Sequence, residues 1–272
     1  MEYISKTLDF HVKEPSVISF GKFDGLHRGH EFLMEKQIEQ SNLHGYKRII
    51  FTFDIPPKSE VLGVESKVII TNDEKEYVFE KSGIDYLIEC PFVPQVMTME
   101  ADAFVRWIVK SLNVKCIIVG DDFRFGHNRA GDHRLLSAMA GELGYELIVV
   151  DKIKDGARDI SSTYIREEIA AGHIKKANEL LGYPFFIKGR VRDNWYLGVT
   201  NIGCKPTIEG KNPIGAETYI IDFGQDVYGQ DIMVELHKFV RPEMKFDSIE
   251  ALKSQMSADI NFTINYAGSH TF

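Results

Sequence analysis

The sequence predicts an α/β protein: a parallel sheet covered by helices in the first two thirds, then a small antiparallel, β-barrel-like domain. The first part alternates short apolar runs with amphipathic stretches, and the runs lack the polar alternation of half-exposed strands. From Phe185 onward, short strands follow one another with turns and no helix between them. We place the boundary near Tyr183 and Pro184, which gives domains 1–183 and 184–272.

The elements can be assigned in order along the chain. The five candidate strands of the first domain are SVISFG, RIIFTFD, DYLIEC, KCIIVGDDF and YELIVVD. The helices between them are HEFLMEKQIEQSNLHG, ADAFVRWIVKSL and DHRLLSAMAGELG, with Gly45 and Gly144 at the positions of C-terminal caps. One further helix, SSTYIREEIAAGHIKKANELLGYP, connects the two domains. The second domain offers the strands FFIKGRV, YLGVTNIG, TYIIDF and DIMVELHKFV and then an amphipathic helix near Ser248 to Ala258.

Composition excludes several classes of function. The formal charge of -8 gives no general attraction for nucleic acid or for an anionic membrane. No apolar run approaches the ~20 residues of a membrane span, and the charged N-terminus does not resemble a signal peptide, so we expect a cytoplasmic protein. The three cysteines, Cys90, Cys116 and Cys204, have no metal-binding spacing and are expected to be buried thiols.

The segment GKFDGLHRGH, between the first predicted strand and a helix, has the composition of a phosphate site. Glycines at 21, 25 and 29 let the backbone turn tightly and approach a phosphate, while the helix start directs N–H groups and partial positive charge toward it. His27 and His30 can donate to phosphate oxygens as charge grows in a transition state. Two histidines three apart can also be incidental or bind a metal, but no third ligand lies at suitable spacing, so we expect no protein metal site.

Two later segments support a phosphate site. The run IIVGDDFRFGHNRAGD is another strand that leads into a glycine-punctuated loop, here with two arginines. The run ISSTYIREEI places hydroxyls at a helix start and an arginine one turn inside, although serine and threonine there are also ordinary N-caps. The side chains concerned are Arg124, Arg129, Ser161, Ser162, Thr163 and Arg166. Together these loops predict a polyphosphate pocket in an otherwise acidic protein.

These residues also carry a family resemblance. The motifs FGKFDGLHRGH, GDDFRFG and SSTYIR, in this order and at this spacing, resemble the nucleotidyltransferase half of the bacterial riboflavin kinase/FAD synthetase family. The later stretches NIGCKPT, ETYIIDF, VYGQDI and RPEMKF resemble the flavokinase half, so the resemblance covers nearly the whole chain. It implies a Rossmann-like nucleotidyltransferase domain followed by a flavokinase-type barrel.

The resemblance also implies a reaction and a set of site residues. The first domain would transfer the adenylyl group of ATP to the phosphate of FMN, giving FAD and pyrophosphate, without a covalent intermediate. His27, His30 and Arg166 would be catalytic, with the histidines on the ATP phosphates and the arginine on the leaving pyrophosphate. The nucleotide-binding residues would be Gly21, Phe23, Asp24, Gly25, Gly29, Gly120, Asp122, Ser162 and Thr163. Mg²⁺ would be bound mainly through ATP.

The sequence departs from the family pattern near the expected flavin site. After its second strand the family has Phe-Asp-Pro-His-Pro, whereas this chain reads FDIPPK over residues 53–58. This departure therefore bears on flavin orientation or affinity rather than on ATP binding. Candidate flavin contacts are Phe53, Phe123 and Phe125, although such side chains more often pack in a core.

A larger departure affects the second domain. The family's glycine-rich segment ending in Gly-Phe-Pro-Thr-Ala-Asn, which holds magnesium and ATP in the kinase reaction, is absent between FFIKGRV and NIG. Glu217 aligns with the family's kinase base, but without that phosphate site it can equally be an exposed residue of a barrel strand. We expect a shortened, degenerate barrel that no longer makes FMN. Because losing a strand opens an edge, that edge should be covered by the first domain or another chain.

Three alternatives remain open at this point. The chain could be bifunctional, with a kinase that uses other residues. It could instead be a non-catalytic protein that binds flavin nucleotides, or an adenylyltransferase for another small phosphate, which would share only the first motif. The sequence leaves the oligomeric state undetermined.

Overall fold

The computed structural model describes residues 1–54, 68–188, 196–204, 214–225, 227 and 232–269. The chain divides into two compact units, Met1–Phe185 and Phe186–Phe272. The first is α/β and the second contains small sheets and a long helix.

A six-stranded parallel sheet forms the centre of the first unit. Its strands in chain order are β1 (Glu2–Ser5), β2 (Ser16–Phe20), β3 (Lys47–Asp54), β4 (Tyr86–Pro91), β5 (Val114–Gly120) and β6 (Glu146–Val150). They lie side by side in the order β1-β4-β3-β2-β5-β6, and every neighbouring pair is parallel. The five predicted strands are confirmed as β2 to β6, and β1 is an additional edge strand.

Each face of the sheet has its own hydrophobic core. Successive strand residues alternate between the two: Ile49 and Phe51 lie in one cluster, and Ile50 lies in the other. Because both faces are covered, the strands need no polar side, which explains their continuous apolar runs.

Helices cover both faces of the sheet. They are α1 (Arg28–His44), α2 (Asn72–Lys81), α3 (Pro94–Met97), α4 (Ala101–Ser111), α5 (His133–Leu143), α6 (Ser162–Ala170) and α7 (Ile174–Leu181). One face packs against α4 and α5, the other against α1, α2, α6 and α7. Gly45 and Gly144 end their helices in the left-handed region, with φ of 72° and 70°, as predicted.

Two helical features differ from the sequence prediction. Helix α2 was not expected; a reciprocal capping box between Thr71 and Glu74 starts it. The prediction of a single helix connecting the two domains is wrong. The chain forms two helices there, α6 and α7, with a break at Gly172, whose φ is +76°. A positive φ cannot continue a right-handed helix.

The second unit contains four described strands and a C-terminal helix. Strands β8 (Gly198–Cys204) and β9 (Ile214–Ile220) pair antiparallel, and β7 (Phe185–Lys188) pairs with β10 (Met233–Leu236). Helix α8 (Ile249–Gly268) starts next to its N-cap Ser248, close to the predicted start, but runs past the predicted end near Ala258. Within it the buried Asp259 carboxylate accepts hydrogen bonds from Arg241, at 2.9 Å from Nε.

Two negative predictions can be compared with the described residues. None of the described helices is long and apolar enough to cross a membrane. Cys90 and Cys116 are buried free thiols, and burial raises the pKa of each to about 12. The side chain of Cys204 lies outside the described residues.

Candidate functional site

The first motif lies where the strand order of the sheet reverses direction. From β2 the chain first builds outward through β3 and β4, and then returns to add β5 and β6 on the other side of β2. Ser19 of β2 is paired with Ile118 of β5, so the same register puts Gly21 level with Gly120 at the carboxyl ends of both strands. Open α/β sheets bind ligands at this switch point.

The loop between β2 and α1 has an unusual backbone. Phe23, Gly25 and Leu26 all have positive φ, at 49°, 86° and 36°. The side chains of Phe23 and Leu26 are buried, which holds the two non-glycine residues in this costly conformation. A Cβ on Gly25 would lie 2.8 Å from Ile69 Cδ1, so only glycine fits. Left-handed residues within a turn help direct neighbouring N–H groups into one concavity, the geometry of an anion site.

The two motif histidines lie together at the start of α1. Their rings stack at a centroid distance of 3.9 Å, and the ring of His30 also lies 4.9 Å from that of Phe23. Burial lowers the pKa of His27 to about 4, and burial together with the charge of His27 lowers the pKa of His30 well below its ordinary value. Both Nδ1 atoms are buried without a partner among the described residues. The pair is therefore neutral at pH 7.

Helix α6 joins this loop through its first turn and a half. Ser161 is the N-cap and accepts from Tyr164 N at 3.3 Å, so the ordinary capping role falls on one serine. The Ser162 hydroxyl instead donates to the carbonyl oxygen of Asp24 at 2.7 Å. Arg166 Nη1 donates to Asp24 Oδ2 at 2.6 Å, and Arg166 Nη2 donates to Thr163 Oγ1 at 3.2 Å. The first and third motifs, more than a hundred residues apart, are thus in direct contact.

The second motif reaches the same region through a lysine. Asp122, which follows Gly120 at the end of β5, pairs with Lys152 at 2.9 Å, and Lys152 also lies 3.4 Å from Asp159. The hydrogen bond to Asp122 is the main cause that raises the pKa of Lys152. Asp159 stands two residues before Ser161, so one cation connects the second motif to the start of the third.

The three candidate flavin contacts have different surroundings. Phe125 is buried in the core, stacked on Phe123 at 5.3 Å. Phe123 and Phe53 are only partly buried, and Phe53 also contacts the exposed Phe92 at 5.2 Å. Residues 55–58 of the FDIPPK departure lie outside the described residues.

Several residues of the site were not identified from the sequence. The amides of Ile69 and Ile70 donate to Asp24 Oδ1 at 2.7 and 3.4 Å, and no side-chain pattern reveals a backbone donor. The Tyr183 hydroxyl donates to Gly25 O at 2.6 Å, although the sequence suggests only a domain boundary there. Lys152 directly follows a predicted strand, and that position is the signal that could have identified it.

The described residues contain no group of three or more His, Cys, Asp or Glu side chains placed to hold a metal ion.

In the second unit, Glu217 lies exposed on β9 with Asn201 of β8 as its strand partner. The Lys-Pro-Thr end of NIGCKPT and nearly all of VYGQDI lie outside the described residues.

Comparison with known proteins agrees with the motifs. Residues 9–164 match the FAD synthetase family and residues 173–267 match the riboflavin kinase family. The chain is 30% identical to the bifunctional riboflavin kinase/FMN adenylyltransferase of Escherichia coli K12, over 91% of each chain. It is also 30% identical to the protein of that name from Bacillus subtilis, over 92% of each chain.

One solved structure covers almost the entire fold. The crystal structure titled macrolide-efflux protein, from Streptococcus pneumoniae, superposes with a TM-score of 0.82 at 26% identity, over 97% of this chain and 98% of that one. With two family models matched in tandem and curated relatives at 30% identity, the chain belongs to the bacterial riboflavin kinase/FAD synthetase family and is an enzyme of the FMN adenylyltransferase type.

Proposed function

We propose that this chain is an FAD synthetase that transfers AMP from ATP to FMN and has lost riboflavin kinase activity. The observation that carries the proposal is the junction of the β2–α1 loop with the start of α6, through Asp24, at the switch point of the sheet. That junction brings backbone amides, two imidazoles and a guanidinium to one edge, which suits a triphosphate.

The chemistry needs alignment more than covalent participation. A phosphate oxygen of FMN attacks the α phosphorus of ATP, the bond from that phosphorus to the bridging oxygen breaks, and pyrophosphate leaves. His27 and His30 donate hydrogen bonds to the triphosphate, while the backbone amides of Ser162 and Thr163 at the start of α6 and the guanidinium of Arg166 stabilise the charge that grows on the pyrophosphate. Gly21, Gly29 and Gly120 let the backbone approach the nucleotide, with Phe23, Asp122 and the Gly25 turn forming its surroundings.

Neutral imidazoles fit this role at pH 7. In the ligand-free protein their burial opposes protonation, so each ring offers one N–H group without adding charge to the pocket. A bound triphosphate favours the charged form of a nearby imidazole, because opposite charges raise a histidine pKa. The histidines can therefore gain positive charge as the substrate binds.

Magnesium would be carried by the substrate. Phosphate oxygens and water would supply most of its ligands, because Mg²⁺ dehydrates reluctantly and is usually bound through substrate phosphates. When bound, Mg²⁺ supplies charge neutralisation on the phosphates.

Loss of kinase activity is supported by a motif that the second domain lacks. The family segment that holds Mg-ATP is missing from residues 184–272. We therefore assign FMN adenylyltransferase activity to domain 1–183 and a degenerate role to domain 184–272, where Glu217 is a vestigial base.

Two incubations test this proposal. FMN with Mg-ATP should give FAD, whereas riboflavin with Mg-ATP should give neither FMN nor FAD when the flavins are separated. The Glu217→Gln variant is a matched control, and its FAD formation should equal that of the wild type. FMN made from riboflavin would instead support the second candidate, a bifunctional enzyme, which the names of the curated relatives favour. Flavin binding without pyrophosphate release would indicate a non-catalytic binder.

A further inference from the structure

Asp24 sits at the centre of the proposed phosphate site, although a carboxylate beside a polyphosphate would repel it. Its side chain is largely buried, with 16% exposed, in the same loop that supplies the two histidines. A direct contact between this carboxylate and the nucleotide would weaken binding, because like charges at close range are unfavourable. Its hydrogen bonds indicate a different role.

Both oxygens of the Asp24 carboxylate are already used by the protein. Oδ1 accepts from Ile69 N at 2.7 Å, and Oδ2 accepts from Arg166 Nη1 at 2.6 Å. The main-chain carbonyl of Asp24 accepts from Ser162. Asp24 therefore ties the β2–α1 loop to the segment before α2 and to the first turns of α6.

Arg166 retains N–H donors for a ligand while Asp24 and Thr163 hold its guanidinium. Its contacts within the described residues use one hydrogen on each of Nη1 and Nη2, toward Asp24 and Thr163. A guanidinium carries five N–H groups in a rigid plane, and 34% of this side chain is exposed. Fixing two of the N–H groups sets the plane in which the others are presented to a ligand.

We infer that Asp24 is a positioning residue of the adenylyl transfer, which acts by holding Arg166 in the orientation that contacts the leaving pyrophosphate. It is not a nucleotide ligand. This inference rests on the proposed function, and it revises the nucleotide-binding role that the family resemblance implied for Asp24. Lys75 is a further cation whose charge interacts with this carboxylate, and it also interacts with the carboxylates of Asp54 and Glu89.

The variant Asp24→Asn distinguishes the hydrogen bonds of the two carboxylate oxygens. An asparagine oxygen can still accept from Ile69 N, but its NH₂ group faces the Arg166 guanidinium, where two donors cannot bond. Steady-state kinetics with Mg-ATP and FMN should show kcat reduced at least about tenfold, with a smaller change in KM for ATP, because the pyrophosphate charge develops in the transition state. The surface pair Arg106–Glu142 offers a matched control, so Glu142→Gln should leave kcat unchanged.

A double-mutant cycle gives the decisive result. If Asp24 acts through Arg166, Asp24→Asn should change kcat less than about threefold when Arg166 is already replaced by methionine. An equal loss of kcat in both backgrounds, or no loss of kcat in the wild-type background, would overturn the inference. FAD formation by the wild type is measured first, because its absence would refute the proposed function and not this inference alone.

A charge-conserving pair keeps the test available if Asp24→Asn fails to fold. Lysine reaches less far than arginine and glutamate reaches farther than aspartate, so Asp24→Glu with Arg166→Lys restores an ion pair across a similar span. The double variant should regain at least about threefold of the kcat lost in Arg166→Lys alone. Equal kcat values in the two variants would contradict a positioning role.

Discussion

At the scale of single residues, burial determines the chemistry of the site. His27 is 7% exposed, which keeps its imidazole neutral, whereas the same side chain on the surface would titrate near neutral pH. Residue type and position within the motifs GKFDGLHRGH and SSTYIR make His27, His30 and Arg166 recognisable in the sequence. The stacking of the two histidine rings and the partner of Arg166 could not be predicted, because they depend on the folded backbone and, for Arg166, on contact between distant segments.

The lowered pKa of His27 predicts acid sensitivity of the fold. Since the unfolded imidazole titrates near 6.5 and the folded one near 4, the unfolded state binds more protons between these values. The resulting stability is present above pH 6.5 and is lost as the pH falls toward 4. Between pH 7 and 5 the loss from this group is about 2 kcal/mol.

Urea unfolding of His27→Gln at pH 7 and pH 5 checks this prediction. The variant should lose about 2 kcal/mol less stability over that interval than the wild type does. His11→Gln, at an exposed surface histidine, should show the wild-type difference. Identical pH dependence in His27→Gln and the wild type would refute the argument.

At the scale of elements, the long periodic segments were predicted well and the short ones were not. Strands β2 to β5 are recognisable because burial on both faces requires continuous apolar runs, and the edge strand β6 has such a run although Val149 is exposed. The edge strand β1 reads EYIS, and its assignment comes from pairing with β4, which no local pattern reveals. The break between α6 and α7 depends on one glycine within an otherwise helical stretch.

Helix α1 provides a test of how tightly its histidines are positioned. A Cβ on Gly29 would lie 3.2 Å from Cε1 and Nδ1 of His27, so Gly29→Ala should shift that ring and reduce FAD formation about tenfold. Gly141 of α5 has open space around the same position, so Gly141→Ala should keep full activity and add about 0.5 to 1 kcal/mol of stability. Steady-state rates and urea midpoints of both variants measure the two effects. Full activity in Gly29→Ala would show that the ring position is not critical.

At the scale of the whole molecule, the topology of the sheet explains why three separated motifs form one site. The reversal of strand order puts the ends of β2 and β5 side by side, and the third motif reaches the first through Ser162 and Arg166. The sequence predicts this convergence from the glycine, hydroxyl and arginine groups in loops that follow predicted strands or begin a helix. It could not predict that a carboxylate, Asp24, connects the motifs, because nothing in its local sequence indicates which residues contact it.

Transfer of AMP to the phosphate of FMN, which we propose for this site, can be followed directly. The most direct measurement follows ATP labelled at the α phosphorus during incubation with FMN and Mg²⁺. The label should appear in FAD, with one pyrophosphate released per FAD formed. Label that remains in ATP, or that appears only in free AMP, would contradict the proposal.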